Sequence, residues 1–253
     1  MTPRIGWLIL VLSSLTLSMH AATCNQATLK GNYAASALGY VAGSPGAGVT
    51  LFLTTFDGVS NITGSGVENV NGTVSTGVTL NGTYSVTAVG KNCTFTSTAT
   101  DSLGNTIAVS GTVNSNGGEM DGISTTAGTE MQFTAYKQAK TSCTEANAAG
   151  SYTEKFYWLD TPVGILLVTA QLTVTSKGAK TGSLVENYDG GTIVSGTFTG
   201  TFTMNSDCTF TTTSTYSFGG TSDFFGVGGI SVNGVKLVMV GTDSGHVGLG
   251  TLY

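Results

Sequence analysis

Two glutamates are the clearest candidates for chemistry in this 253-residue sequence. Glu68 lies in the segment GSGVEN and Glu186 in the matching segment GSLVEN, each just ahead of a turn dipeptide. Glycoside hydrolysis needs two carboxylates in one site, whereas these two lie in different halves of the chain. A lone glutamate on a strand near a turn is most often solvated or hydrogen-bonded to the turn backbone, and the functional alternative, for which we keep both residues as candidates, is a polar anchor inside a barrel mouth.

A group near the C-terminus combines the residue types of a hydrolase triad. Asp243, Ser244 and His246 lie within one short segment. Neighbouring residues of a tight turn rarely point at one another as a triad requires, and no Gly-x-Ser-x-Gly segment supports a nucleophilic serine. We therefore interpret this segment as a turn between two strands, assign no catalytic residue and favour a protein that is not an enzyme.

The charged residues exclude several functional classes. Only 9% of residues are charged and the formal net charge is -5, which argues against a nucleic-acid partner. Arg4 is the only arginine, so the planar group best suited to bind phosphate is missing from the rest of the chain. A single histidine beyond residue 22 and no closely spaced cysteine pair do not make a zinc site, so we predict no metal and no cofactor.

The N-terminal residues are typical of a secretory signal peptide. A positively charged start at residues 1–4 precedes an apolar run at 5–17, and Ala21 and Ala22 offer small residues for cleavage. The apolar run is shorter than the ~20 residues of a membrane-spanning helix. We expect a signal peptide at 1–22 and a secreted protein, extracellular or periplasmic, with no transmembrane span in the mature chain.

An internal repeat organises the rest of the sequence. The segment CNQATLKGNY from Cys24 matches CTEANAAGSY from Cys143, and the two segments around Glu68 and Glu186 follow in the same order. Further along, NGTYSV matches TGTFTM, and each is followed by a cysteine that begins CTFTST or CTFTTT. We therefore divide the mature chain into two repeats, 23–138 and 139–253.

The repeat also predicts the cysteine pairing. Four cysteines allow three pairings. Because each copy should satisfy its own pair, we predict the bridges Cys24–Cys93 and Cys143–Cys208. Export to an oxidising compartment makes these bridges chemically reasonable.

Each copy has the periodicity of β-strands. Segments such as GTYSVTA, CTFTSTAT and AQLTVTS alternate bulky side chains with small or hydroxyl side chains, as half-buried strands do. Asn-Gly and Asp-Gly dipeptides near these segments indicate hairpins. About eight antiparallel strands fit into each copy, which is enough to close a small up-and-down β-barrel without free edges. Two β-sandwiches are the alternative for the same number of strands.

The first strand differs between the copies on one face. In the second copy that face carries Tyr152, Glu154, Phe156 and Trp158. The corresponding residues of the first copy are Tyr33, Ala35, Ala37 and Gly39. If the face points inward, we expect the first barrel to have the emptier lumen and the second to be filled by aromatic rings. If it points outward, the aromatic stripe is a docking patch. Rings that fill an ordinary core are a third interpretation.

The order of these motifs resembles a known group of proteins. The succession C-x4-L-x-G-x-Y, then G-T-Y-x-V and a cysteine, closing with KLVMVGTDSG at 236–245, is similar to a group of secreted bacterial β-proteins without an assigned activity. The resemblance covers both copies and implies a fold, with no site residues to transfer. Lipocalin-like and allene-oxide-cyclase-like barrels are analogous in architecture only.

These observations predict a secreted, non-catalytic binding or surface module. Its partner would be a small apolar molecule held in a barrel lumen, or a cell-surface component. A cyclase or isomerase that uses a barrel cavity is one alternative, and a purely structural, adhesin-like protein is another. The candidate ligand-binding residues are Tyr33, Glu68, Tyr152, Glu154, Phe156, Trp158 and Glu186.

Overall fold

The computed structural model describes residues 24–40, 46–90, 92–114, 116–160, 164–188, 191–244 and 246–253. The signal peptide expected at 1–22 lies outside the described residues. No helix in the described ranges is both long and apolar enough to cross a membrane.

The first barrel is a closed antiparallel meander of eight strands, in which each strand pairs with the next and the last pairs with the first. Its strands are β1 (Gly31–Tyr40), β2 (Ala47–Phe56), β3 (Asn61–Val70), β4 (Thr73–Val89), β5 (Asn92–Asp101), β6 (Thr106–Val113), β7 (Glu119–Ser124) and β8 (Glu130–Lys137). A short 3-10 helix, Gln26–Leu29, precedes β1.

The second barrel repeats this topology. Its strands are β9 (Gly150–Asp160), β10 (Gly164–Val174), β11 (Ala179–Tyr188), β12 (Thr192–Met204), β13 (Thr209–Tyr216), β14 (Thr221–Val227), β15 (Leu237–Gly241) and β16 (Val247–Leu252). A single helical turn, α1 (Glu145–Ala148), precedes β9 at the place of the 3-10 helix. The predicted tandem of up-and-down barrels is therefore confirmed, and the β-sandwich alternative is wrong.

A disulfide and a helical turn occupy one end of each barrel. The bridges are Cys24–Cys93 and Cys143–Cys208, as the repeat predicted. Each bridge joins the segment before the first strand to β5 or to the residue just ahead of β13. This disulfide end lies opposite the mouth, which we define as the end that carries the β3–β4, β5–β6 and β7–β8 turns and their equivalents in the second barrel.

Outward-facing side chains of the two barrels form a third hydrophobic cluster, separate from the two lumens. Its fully buried members from the first barrel are Ala34, Ala47, Val49, Leu51 and Val67, and those from the second half are Val227, Ile230, Val235, Val238, Val240 and Val247. Asn69, which is completely buried, donates from Nδ2 to the carbonyl oxygens of Gly241 at 3.0 Å and His246 at 2.6 Å. The outer face of β1–β3 is thus covered by the outer face of β14–β16.

Candidate binding site in the lumen of the first barrel

The face that distinguishes the two copies points into the lumen. Glu154, Phe156 and Trp158 are all buried, and Phe156 and Trp158 pack on each other with ring centroids 4.8 Å apart. Phe224 closes this group from β14, 5.3 Å from Phe156. Aromatic rings therefore fill the lumen of the second barrel, and this stripe is not an exposed docking patch.

The first barrel compensates only partly for its smaller side chains on β1. In two cross-strand pairs the large residue lies on the last strand in the first barrel but on the first strand in the second barrel. The pairs of the first barrel are Ala37 with Phe133 and Gly39 with Met131. The corresponding pairs of the second barrel are Phe156 with Gly250 and Trp158 with Gly248. A Cβ atom at Gly248 or Gly250 would collide with the Phe156 ring. Bulk is thus moved to β8 in the first barrel and removed from β16 in the second, and a comparison of β1 with β9 alone exaggerates the difference in filling.

A cavity of about 70 Å³ remains in the lumen of the first barrel. Its lining is mainly apolar and includes Ala35, Ala37, Phe52, Ile107 and Phe133. Space of about 120 Å³ lies next to it toward the mouth, and both are lined by Thr50, Glu68, Asn105 and Ile107. The lumen space alone is smaller than the ~150 Å³ of an apolar cavity that holds benzene, so a guest would have to be slender and extend into the space at the mouth.

Glu68 lies where the apolar cavity meets the space at the mouth. It belongs to an inward-facing row in which Ala37 lies opposite Thr50 and Thr50 lies opposite Glu68. Its side chain is 5% exposed. Burial raises the pKa of Glu68 to about 7, and the charge of Asp101 and a hydrogen bond with it act in the same direction.

Asp101 is held as the acceptor partner of Glu68 by the β5–β6 turn. Its Oδ1 accepts from the backbone nitrogens of Leu103 at 2.8 Å and Asn105 at 2.9 Å, and its Oδ2 accepts from Asn105 Nδ2 at 2.9 Å. These three donors fix the position of the Asp101 carboxylate, and the pKa that is raised is that of Glu68, so Glu68 is the member of the pair that carries the shared proton. The site is an apolar chamber with a hydrogen-bonded pair of carboxyl groups, Glu68 and Asp101, at its entrance.

Sequence reasoning missed Asp101, Thr50 and Asn105. Asp101 has no acidic counterpart in the second copy, so the repeat did not single it out. The DSLGN segment at 101–105 has the composition of a turn, and an aspartate at its start is the signal that could have been used.

The second barrel carries an open cleft at its mouth. This cleft of about 200 Å³ is lined by Trp158, Glu186, Tyr216, Phe218, Ser222 and His246, among others. Glu186 is buried like Glu68. Burial raises the pKa of Tyr216 to about 12, so its hydroxyl stays protonated at neutral pH. Glu186 and Trp158 therefore share one site.

The remaining predicted ligand-binding residues do not line either cavity. Tyr33 donates from its hydroxyl to the Gly117 carbonyl oxygen at 2.6 Å, and Tyr152 donates to that of Ala148 at 2.6 Å, both at the disulfide end. Tyr33 is thus packed at the disulfide end of the first barrel, and Tyr152 lines a separate open space of about 330 Å³ at the disulfide end of the second. Phe156 lies in the packed interior of the second barrel, and Glu154 is also buried.

The C-terminal group of Asp243, Ser244 and His246 lies in the β15–β16 turn, as expected. Both carboxylate oxygens of Asp243 accept from the backbone nitrogen of Asp223, at 3.0 and 3.1 Å. The His246 ring packs edge-on against Trp158, with centroids 5.6 Å apart. No group of three or more metal-ligating His, Cys, Asp or Glu side chains occurs within the described ranges.

No protein-family model and no curated protein matches this chain.

Proposed function

We propose that this chain is a non-catalytic binding module that holds a small, mainly apolar molecule in the first barrel, with the polar end of that molecule at Glu68. The observation that carries the proposal is the placement of a buried carboxyl pair, Glu68 and Asp101, between an apolar chamber and the mouth. Binding sites of this kind combine a mostly apolar wall with a few polar groups that fix orientation. The second barrel, which has the same framework but a filled interior, then acts as the rigid support.

The proposal includes action outside the cytoplasm. Two disulfides in a chain of this size are typical of oxidising compartments. A secreted carrier or surface module that captures a small apolar molecule, or contacts a cell-surface component, agrees with that setting.

The first experiment identifies a bound molecule. The purified protein is examined by native mass spectrometry and by organic extraction, and it is then titrated with 1-hexanol and hexylamine as slender probes while the melting temperature is recorded. We expect saturable stabilisation by at least one probe. A protein that carries no extracted molecule and responds to neither probe contradicts the proposal and favours the purely structural, adhesin-like alternative.

Variants that fill the chamber test its position. Ala37→Leu and Ile107→Phe add volume from two different walls, and each should reduce probe affinity at least tenfold, because the space is too small to be shared. Ala37→Ser changes the same position with little added volume and should bind like the unmodified protein. Unchanged affinity in both filled variants, with the native fold retained, would place the probe elsewhere.

The acid at the entrance predicts a pH dependence of binding. As the pH rises through about 7, Glu68 loses its proton, so the affinity for the hexylammonium ion should increase several-fold between pH 6 and pH 8. The affinity for 1-hexanol should change less. The isosteric Glu68→Gln variant should remove the increase, and a profile identical to that of the unmodified protein would exclude Glu68 as the anchor.

A bound molecule that is chemically converted over hours, with a rate that follows the same titration, would instead indicate the cyclase or isomerase alternative.

A further inference from the structure

The outer surface of the second barrel carries an exposed apolar row across four neighbouring strands. Tyr157 on β9 lies opposite Leu167 on β10, Leu167 lies opposite Asn187 on β11, and Asn187 lies opposite Ile193 on β12. Tyr157, Leu167 and Ile193 are 49%, 45% and 70% exposed. Ile165 and Val185, about half exposed, extend the patch on either side, and we name these six residues the β9–β12 face.

The same row in the first barrel is buried at its two central residues and partly buried at its two ends. Its members are Leu38, Val49, Asn69 and Val74, which follow one another across β1–β4 in the same register. Val49 and Asn69 are completely buried there, because β14–β16 of the second barrel cover them. Asn69 reaches carbonyl groups of the covering barrel, and Asn187 holds the corresponding position in the exposed row. The repeat therefore contains one docking surface that is used in the first copy and uncovered in the second.

The β9–β12 face is also continuous with the contact between the barrels. Val240, which is buried in that contact, lies opposite Leu249, and Leu249 lies opposite Tyr157. A partner on the β9–β12 face would thus extend an existing apolar interface. Contiguous exposed apolar surface of this kind marks interaction sites in soluble proteins.

The chain itself indicates how a second copy would cover this face. In a head-to-tail assembly, the first barrel of a second copy would cover this face with its strands β6–β8, which are the counterparts of β14–β16. That surface carries the exposed residues Asp121, Glu130 and Gln132 where the second barrel has Val238, Val247 and Leu249, and Ile123, at the place of Val240, is an exposed apolar residue among them. A mainly polar β6–β8 face would therefore pack poorly on the apolar β9–β12 face. The β9–β12 face has no charged residue among its six and can pack against the same face of a second copy.

We propose that the β9–β12 face pairs with the same face of a second copy, which gives a two-fold symmetric dimer. A two-fold interface uses one patch twice and closes, so the assembly stops at two chains. Asn187 would then act as Asn69 does, by bonding to backbone groups at the edge of the covering barrel. This inference is independent of the lumen site, because the face lies on the outside of the second barrel.

Sedimentation equilibrium of the full chain from about 1 to 100 µM tests the dimer, in the concentration range of weak interfaces. We expect a monomer–dimer equilibrium in the unmodified protein, and at least a tenfold increase in dissociation constant for Ile193→Asp and for Leu167→Asp. Ile123→Asp is the matched control, because Ile123 is 63% exposed on β7 of the first barrel, and it should dimerise normally.

Three outcomes would overturn the proposal. A monomer throughout this range shows that no second copy covers the face. Loss of assembly in Ile123→Asp, or growth beyond the dimer, indicates head-to-tail contact. A monomer that instead co-floats with neutral phosphatidylcholine vesicles, and loses this property in Ile193→Asp, identifies a lipid surface as the occupant.

Discussion

Glu154 and Lys180 place two ionisable groups inside the second barrel, where the first barrel has Ala35 and Ile62 at the corresponding positions. Both are buried, with 7% and 4% of their surface exposed. Burial raises the pKa of Glu154 and lowers that of Lys180 to about 8, while the attraction between the two opposes each shift. Lys180 Nζ lies 5.3 Å from the Phe198 ring centroid and 5.4 Å from that of Phe224, where the ring faces favour its charge.

A double-mutant cycle that replaces Glu154 and Lys180 by the corresponding residues of the first barrel tests whether the two groups interact. Glu154→Ala and Lys180→Ile should each lower the free energy of unfolding by at least about 1 kcal/mol at pH 7, since each leaves one buried charge without the attraction of the other. The double variant should lose much less than the sum, because its two residues are those of the first barrel. Urea unfolding of the four proteins measures the coupling, and additive losses would show that the two groups do not interact.

The pH dependence of the single variants has a definite sign. In Lys180→Ile the raised pKa of Glu154 allows this acid to take up a proton on folding, so the destabilisation should shrink as the pH falls from 7 to 5. In Glu154→Ala the lowered pKa of Lys180 has the opposite effect, and stability should increase as the pH rises from 8 toward 10.

At the scale of elements, each barrel depends on the closure of its disulfide end. Leu29, on the 3-10 helix, is completely buried against the first lumen, and Ala148 on α1 is its counterpart. Tyr84 donates to the Gln26 carbonyl oxygen at 3.0 Å, which ties the first helical turn to β4. The short helices are held by these contacts and by the bridges, because turns of four residues have little stability of their own.

Removal of either disulfide should therefore destabilise the protein by a similar amount. The bridges span 69 and 65 residues, for which the chain-entropy relation gives ~4 kcal/mol each. We expect Cys24→Ala with Cys93→Ala, and separately Cys143→Ala with Cys208→Ala, to lower the free energy of unfolding by about 3–4 kcal/mol in urea. A loss below about 1 kcal/mol for either pair would mean that its helical turn and tyrosine close the barrel without the bridge.

For the whole molecule, the cluster between the barrels determines how the two halves behave together. Eleven buried residues from both halves form one hydrophobic contact between the barrels, and Asn69 forms a hydrogen bond across it. Gln138, in the connecting segment, adds a bond from Nε2 to the Gly228 carbonyl oxygen at 3.0 Å. The two barrels should then unfold as one cooperative unit.

Calorimetry tests this cooperation. We expect a single transition in the unmodified protein and two separated transitions in Val49→Asp, because a buried charge at this contact opposes association of the barrels. Asn69→Ala is a milder variant that should broaden the transition. Val59→Asp, at a position that is 69% exposed, should melt like the unmodified protein, and a single sharp transition in Val49→Asp would contradict the prediction.

How far the sequence predicts the site depends on the residue. Glu68 was found because it recurs with its neighbours in both copies, and it does line the cavity. Asp101 was not found, since its role arises from the β5–β6 turn that carries it to Glu68. Tyr33 and Tyr152 were predicted as ligand contacts because they share a face with lumen residues, but position along the strand sends them to the disulfide end.

The sequence by itself determined the all-β class, the two-fold repeat and the disulfide pairing, because strand periodicity and repetition are local properties of the chain. Only the tertiary structure decided how the lumens are filled and which outer face is covered. Phe133 replaces the bulk that Ala37 lacks from a strand nearly a hundred residues away, and Val49 is buried while Leu167 is exposed at the equivalent place. Packing joins residues that are distant in the chain, so neither result can be obtained from one strand at a time.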